Sequence, residues 1–247
     1  PVITGIKALG FHNVVEAALG ADMVAYEEAK ELAEKGSLTS SCCPAFKRYV
    51  ETSFPELKDK ISSSLSPMAA IARYLKKLEP DCRVVFVGPC IAKKMEMVRE
   101  ESKPYVDCVI TFEELQALFD AEEIDLAKLS ENPLDNASFY GRIFARSGGL
   151  TEAVKEALKE QKSTFVALPK TVSGLDQCKS ALNAFKGENP GFNFIEGMAC
   201  SGGCIGGPSC LTHELRDAAD VDKYGHESKE TTISGALTNV LALDDKK

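Results

Sequence analysis

The stretch Phe194–Cys210, FIEGMACSGGCIGGPSC, runs from an alternating apolar segment into a loop and holds three cysteines and five glycines. Phe192–Ile195 reads as a strand that delivers the chain into that loop. Backbone this rich in glycine reaches left-handed angles that other residues avoid, which lets it pass close to whatever it encloses. Cys200 and Cys204, with Ser201, Gly202 and Gly203 between them, can both face one centre. Their spacing is looser than the Cys-x-x-Cys of structural zinc sites, and thiolates also anchor iron–sulfur clusters.

Working outward, the same order of strand, cysteine loop and helix recurs. Arg83–Val87 (RVVFV) is a continuous apolar run, the pattern of a strand buried on both faces of a parallel sheet, and it leads into Gly88, Pro89 and Cys90. Upstream, Thr39–Pro44 (TSSCCP) places Cys42 and Cys43 at the start of a helix opened by Pro44, with Phe46, Tyr49 and Val50 turned inward. Unpaired amides and the helix dipole stabilise negative sulfur there. Ligands of open α/β sheets gather outside the carboxyl ends of the strands. The chain is therefore expected to be α/β: two lobes with parallel-type sheets flanked by helices, and a cofactor site in the cleft between them. Residues 1–131 form the first expected lobe and 132–247 the second, with Asn132–Ser138 as the crossover.

Punctuation residues mark the remaining elements. Ile3–Leu9 is a short helix stopped by Gly10, Val14–Ala18 a strand, and Asp22 the cap of a helix reaching Lys35. Ser66 and Pro67 open a helix through Leu78, ended by Pro80; Asp107–Ile110 is a strand; Thr111 and Glu114 form a capping box for a helix through Phe119. Gly148–Gln161 and Leu175–Phe185 read as helices, Thr164–Leu168 as a strand, and Thr231–Leu243 as weakly helical.

Composition excludes several classes of function. At 247 residues and 44% hydrophobic, the chain can bury a substantial core. Its net charge is −8, and no lysine and arginine run is long enough for a phosphate-binding stripe, so nucleic acid is a poor candidate partner. No apolar run reaches the ~18 residues of a membrane span, and the N-terminus lacks a signal-peptide pattern. The first residue is Pro1 rather than methionine, which fits a piece of something longer. Nine cysteines without a secretory signal favour reduced thiols and metal ligation over disulfides. Cys82, Cys108 and Cys178 read as small buried apolar residues. A zinc site made from four of the other thiolates is the alternative to a cluster.

Ser40–Phe46 (SSCCPAF), Gly88–Glu96 (GPCIAKKME) and Glu196–Gly207 (EGMACSGGCIGG) resemble, in order and spacing, the three signature motifs of the catalytic domain of iron-only (FeFe) hydrogenases. Gly20–Asp22, the Phe144–Leu150 stretch FARSGGL and Gly174–Leu175 also have counterparts, so the resemblance extends from about Gly5 to Gly207. It implies that Cys43, Cys90, Cys200 and Cys204 hold a four-iron, four-sulfur cubane. Cys204 would also bridge it to a two-iron subsite bearing carbonyl, cyanide and azadithiolate. By the same resemblance Cys42 is the proton-relay cysteine, Lys93 hydrogen-bonds a cyanide, and Met198, Phe144 and Pro89 lie beside the subsite. Glu28, Glu31 and Ser62 fall where the family's proton path runs. Without it, Glu28 and Glu31 read as part of an exposed acidic face with Glu27 and Glu34.

The resemblance further implies a cytoplasmic, anaerobic enzyme of hydrogen metabolism. It would exchange electrons with ferredoxin or another redox protein, or with ferredoxin-like domains absent from this chain, and be loaded by hydrogenase maturation proteins; an unmatured preparation lacks the cofactor. Departures mark a divergent subgroup. Ala45 and Phe46 replace the commoner Gly-Trp, Gly88 stands where methionine is usual, Met68 where glutamine is common, and Pro208–Cys210 extends the last motif. The family's opening segment has no counterpart before Pro1. Two other classes stay open: a hydrogen sensor, and an iron–sulfur scaffold or assembly relative. Many sensors lack the relay cysteine and the scaffolds lack both it and the lysine, whereas Cys42 and Lys93 are present here.

Overall fold

The computed structural model describes residues 1–187, 189–214, 216–238 and 240. Its elements follow in chain order: α1 (Val2–Ala8), α2 (Ala17–Lys35), β1 (Leu38–Thr39), α3 (Pro44–Ser53), α4 (Pro67–Leu78), β2 (Val85–Gly88), α5 (Ala92–Met97), β3 (Cys108–Thr111) and α6 (Phe112–Ala121). The second half adds α7 (Phe139–Arg142), α8 (Gly149–Glu160), β4 (Pro169–Ser173), α9 (Leu175–Phe185), β5 (Phe194–Met198), α10 (Asp217–His226) and α11 (Ile233–Ala236). The chain is α/β, with parallel sheets flanked by helices.

One sheet has the order β1-β5-β4, all parallel, with Leu38 and Pro169 both in register with Phe194. The other pairs β2 with β3 in parallel, Val85 opposite Cys108. Strand β1 comes from the first half of the chain and pairs with β5 from the second, so this sheet crosses the boundary expected at residues 131 and 132. In a sheet of only two strands, Val85, Phe86 and Val87 are half-buried, not enclosed on both faces as the continuous apolar run predicts.

Local signals set several helix starts. Ser66 Oγ accepts from Ala69 N ahead of Pro67, and Thr111 and Glu114 form the reciprocal capping box. Gly36 closes α2 at φ 75°, an angle glycine takes without strain. Helix α2 departs from expectation at its other end. It begins at Ala17, so Val14–Ala18 is not a strand and Asp22 is not its cap. Ala17, Ala18, Leu19 and Ala21 favour helix, and the Asp22 carboxylate is occupied elsewhere: it accepts from Ser138 N at 2.8 Å and Ser138 Oγ at 2.5 Å, fully buried.

The core gathers around α2. Val24, Ala25, Ala29 and Leu32 pack with Ile71 of α4, Leu150, Val154 and Leu158 of α8, and Phe194 of β5. Gly20 permits the α2–α4 approach, since a Cβ there would lie 2.1 Å from the Pro67 carbonyl oxygen. A second cluster joins Phe46 and Val50 of α3 to Leu182 and Phe185 of α9 and Ile195 of β5.

The strand expected at Thr164–Leu168 lies five residues later, at Pro169–Ser173. The Asn193 side chain explains the shift: its Oδ1 accepts from Leu168 N at 2.7 Å and its Nδ2 donates to Val166 O at 2.9 Å, so an amide side chain holds this backbone up to Leu168, whose carbonyl then accepts from Asn193 N where pairing with β5 begins. In the expected helical tail, Ile233–Ala236 forms α11, while residues 239 and 241–243 fall outside the described ones.

Candidate functional site

Each of the three cysteine segments touches the other two. Lys93 Nζ, on α5 just after Cys90, donates to the Cys42 carbonyl at 3.3 Å. Gly197, on β5, donates its N–H to Ser40 Oγ at 3.2 Å and faces the Phe46 ring so closely that a Cβ would lie 2.2 Å away. Ser209 N donates to the Pro89 carbonyl at 3.4 Å, and a Cβ on Gly207 would lie 2.4 Å from that oxygen. Cys43 caps α3, its Sγ accepting from Phe46 N at 3.5 Å.

These contacts bring Cys43, Cys90, Cys200 and Cys204 within electrostatic range of one another. Burial, and then repulsion from Cys43 and Cys90, pushes the Cys204 thiol up to about 12. Burial also raises Cys90 and Cys200, with Cys43 adding repulsion in both cases. Thiols that oppose each other's ionisation are relieved by a cationic metal centre. Among the described residues no group of three or more His, Cys, Asp or Glu is drawn tightly enough to hold one metal ion.

The other cysteines sort by burial. Cys178 is fully buried and donates to the Met198 carbonyl at 3.4 Å, whereas Cys108, expected buried, is exposed at the end of β3, and Cys82 is half-buried. Cys210, beyond the last glycine, donates to the Cys204 carbonyl at 3.4 Å.

Behind Cys42 lies a buried acidic array. Glu28 is fully buried and Glu31 nearly so, while Glu27 and Glu34 are less enclosed, so the acidic face divides into a buried pair and a solvated one. Glu28 Oε1 accepts from Ser41 N at 3.1 Å and Ser41 Oγ at 3.3 Å; among the described residues its buried Oε2 has no partner. Glu31 accepts from Ser62 Oγ at 2.8 Å, from Ser63 N, and from the half-exposed Lys35 at 2.6 Å. Burial lifts Glu28 to about 7, against the bonds from Ser41. At Glu31 burial works against the charge too, but Lys35 and the Ser63 amide outweigh it and hold the carboxyl below its ordinary value. Burial and then Glu28 raise the Cys42 thiol well above its ordinary value.

Lys93 is 7% exposed and pairs with Glu96 at 2.6 Å. Burial disfavours its charge, yet Glu96 outweighs burial and its pKa is raised. Met198 and Phe144 are buried, and a Cβ on Gly203, at φ 95°, would lie 2.9 Å from Met198 Sδ and 2.8 Å from the Ala145 carbonyl. Glu196 and Glu96 were not predicted. Glu196 is fully buried on β5 and accepts from Gly148 N at 2.6 Å and Thr151 N at 2.7 Å. The only sign in the sequence is a charged residue inside an apolar strand.

The family model described as the iron-only hydrogenase large subunit, C-terminal domain, matches residues 1–208. Iron hydrogenase 1 of Clostridium pasteurianum is 31% identical, over 90% of this chain and 47% of its own length. The cytosolic Fe-S cluster assembly factor NAR1 of Kluyveromyces lactis is 38% identical, over 37% of this chain and 19% of its own. The chain spans about half the length of the hydrogenase relatives it matches. A solved variant of [FeFe]-hydrogenase HydA1 from Chlamydomonas reinhardtii shares the fold: TM-score 0.77, 20% identity, 98% of this chain and 81% of that one.

Proposed function

We propose, from the premise that this chain belongs to the family formed by the C-terminal domain of the iron-only hydrogenase large subunit, that it is the part of a hydrogenase that interconverts protons and molecular hydrogen. Cys43, Cys90, Cys200 and Cys204 would hold a four-iron, four-sulfur cluster, with Cys204 shared with a two-iron subsite carrying carbonyl, cyanide and azadithiolate. When bound, that cofactor supplies low-potential electrons and an open iron position.

The chain's own residues would hold and move the proton. Cys42 would exchange it with the Glu28 carboxyl, whose pKa near 7 suits transfer at neutral pH. Ser62 Oγ, bonded to Glu31 at 2.8 Å, would carry it on, and Lys35 marks the exit towards solvent. Lys93 would present a fixed ammonium to the cofactor, steadied by Glu96 and the Cys42 carbonyl. Pro89, Phe144 and Met198 would wall the site and exclude water.

One observation carries this reading: two buried glutamates behind Cys42, Glu28 bonded to Ser41 and Glu31 bonded to Ser62. Burying carboxylates costs free energy, and a proton path gives these two a use. Similarity to assembly factors, over as much as 82% of the chain, supports the second reading, an iron–sulfur scaffold without turnover. Electrons would come from a ferredoxin-type carrier or from ferredoxin-like domains elsewhere in the protein, and maturation proteins would load the subsite. Among the described residues no helix is long and apolar enough to cross a membrane. Similarity to cytosolic assembly factors supports a cytoplasmic location.

The test is anaerobic reconstitution with iron and sulfide, addition of a synthetic two-iron precursor, then infrared spectroscopy and hydrogen release from reduced dye. Cyanide and carbonyl bands with hydrogen release are expected. Bands without release favour a sensor; a cluster that takes up no precursor favours the scaffold.

A further inference from the structure

Glu196 is a buried charge that the proposed proton route does not use. It sits on β5 four residues before Cys200, and alternation along the strand puts it on the same face as Met198, opposite Gly197 and the Phe46 ring. Its two oxygens accept from backbone amides, Gly148 N at 2.6 Å and Thr151 N at 2.7 Å, both at the start of α8. Burial raises the Glu196 carboxyl against the bonds from Thr151 and Gly148 and against the charge of Arg146, whose guanidinium is engaged by Asp222 and Glu152. The carboxylate is thus balanced by the helix dipole.

The turn it grips runs along the candidate site. Ser147 N donates to the Gly202 carbonyl at 2.9 Å, Arg146 bridges to Gly203, and Phe144 lies in the same turn.

We infer that Glu196 is a positioning and tuning residue for the cluster: it pins the 144–151 turn to the cysteine loop and places a fixed negative charge beside the iron–sulfur centre, making it harder to reduce. This rests on the proposed function, because it takes the four cysteines to hold a cluster. The electrostatic part follows from the dependence of cluster potential on nearby charge and hydrogen bonding. Proton reduction needs a low-potential reservoir, so the effect runs in the useful direction.

The test is a redox titration of the full chain reconstituted with iron and sulfide, followed by electron paramagnetic resonance of the reduced cluster. Glu196→Gln keeps the shape and removes the charge, so its cluster is expected to reduce at a higher potential than in the unchanged chain. Thr151→Pro deletes one amide donor in the first turn of α8, where no intrahelical bond is lost. It leaves the charge less compensated, and the potential is expected to move down. A purely structural role would lower the melting temperature of both variants without separating the two potentials. Coincident potentials for Glu196→Gln and the unchanged chain overturn the inference, as does a shift of the same sign in both variants. Should Glu196→Gln not take up a cluster, Thr151→Pro decides: a lower potential supports the inference and an unmoved or higher one overturns it. Failure of the unchanged chain to bind a cluster overturns the proposed function and this inference with it.

Discussion

Ser62 Oγ donates to Glu31 Oε2 at 2.8 Å, linking a buried serine on the loop before α4 to the penultimate turn of α2. The bond fixes one rotamer of each side chain between Cys42 and Lys35. If protons pass here, Ser62→Ala removes the intermediate donor while leaving the cysteines untouched. Turnover is expected to fall by about 10²-fold, the usual share of a positioned proton-transfer group, at unchanged cluster content. Hydrogen release against iron content measures both; equal rates would show that protons leave another way.

Glu28 sets a pH dependence of stability. Its carboxyl is lifted from 4.5 to about 7 by burial, so between those values the folded chain keeps a proton that the unfolded chain has released. Stability therefore falls as pH rises across that window and levels off above it. Asp22, also lifted to about 7 by burial, acts in the same sense. Glu28→Gln keeps an oxygen for the Ser41 bonds but cannot titrate. Urea unfolding of the cluster-free chain at pH 5 and pH 8 should show the loss of stability shrinking by up to about 3 kcal/mol in the variant.

Two adjacent glycines in the cysteine loop should respond differently. Gly202, at φ 82°, has nothing within 4 Å of where its Cβ would stand. Gly203, at φ 95°, would place one 2.7 Å from Ser147 N and 2.8 Å from the Ala145 carbonyl, both backbone. Gly202→Ala is expected to cost about 1 kcal/mol, the left-handed penalty alone. Gly203→Ala adds backbone displacement, at least about 2 kcal/mol, and should reduce cluster uptake as well. Paired melting curves and iron analyses separate the two.

The cysteine segments and most helix starts were legible in the sequence because their chemistry is local: a proline after a capping Ser or Cys, a Thr with Glu three residues on, thiols at short spacing. Asp22, Arg142 and Glu196 were not, because their partners Ser138, Glu16 and Gly148 lie 116, 126 and 48 residues away in the chain. A mid-helix acid reads as a cap until a distant serine is seen to occupy it. Burial of Glu28 but not Glu27 was likewise decided by tertiary packing, since neighbours on a helix point to different faces. The resemblance, not the periodicity, singled out the buried pair.

Arg142 holds α2, α7 and α10 together from a side chain that is 1% exposed. Its Nε donates to Glu16 Oε1 at 2.9 Å, its Nη2 to the Leu134 carbonyl at 3.0 Å, and its guanidinium stacks over the Tyr224 ring. Arg142→Met leaves Glu16 buried with no cation beside it, so a loss of about 3 to 5 kcal/mol is expected. Arg142→Lys should recover part of that, keeping the charge but not the fork. Denaturant midpoints of the three proteins test the order.

Cys42 is where structure and proposed chemistry meet most directly. The residue is 8% exposed, its carbonyl accepts from Lys93, and Glu28 acts on its thiol from behind. It is adjacent to Cys43 yet stands outside the proposed ligand set, so its replacement separates relay from assembly. Cys42→Ser keeps a small hydroxyl that fits the space, and its far higher pKa makes it a poor acid at neutral pH. Cluster content and the cyanide and carbonyl bands should match those of the unchanged chain, while hydrogen release falls by about 10²-fold or more. Loss of the cluster in this variant would instead make Cys42 a ligand and shift the four-thiol assignment by one residue.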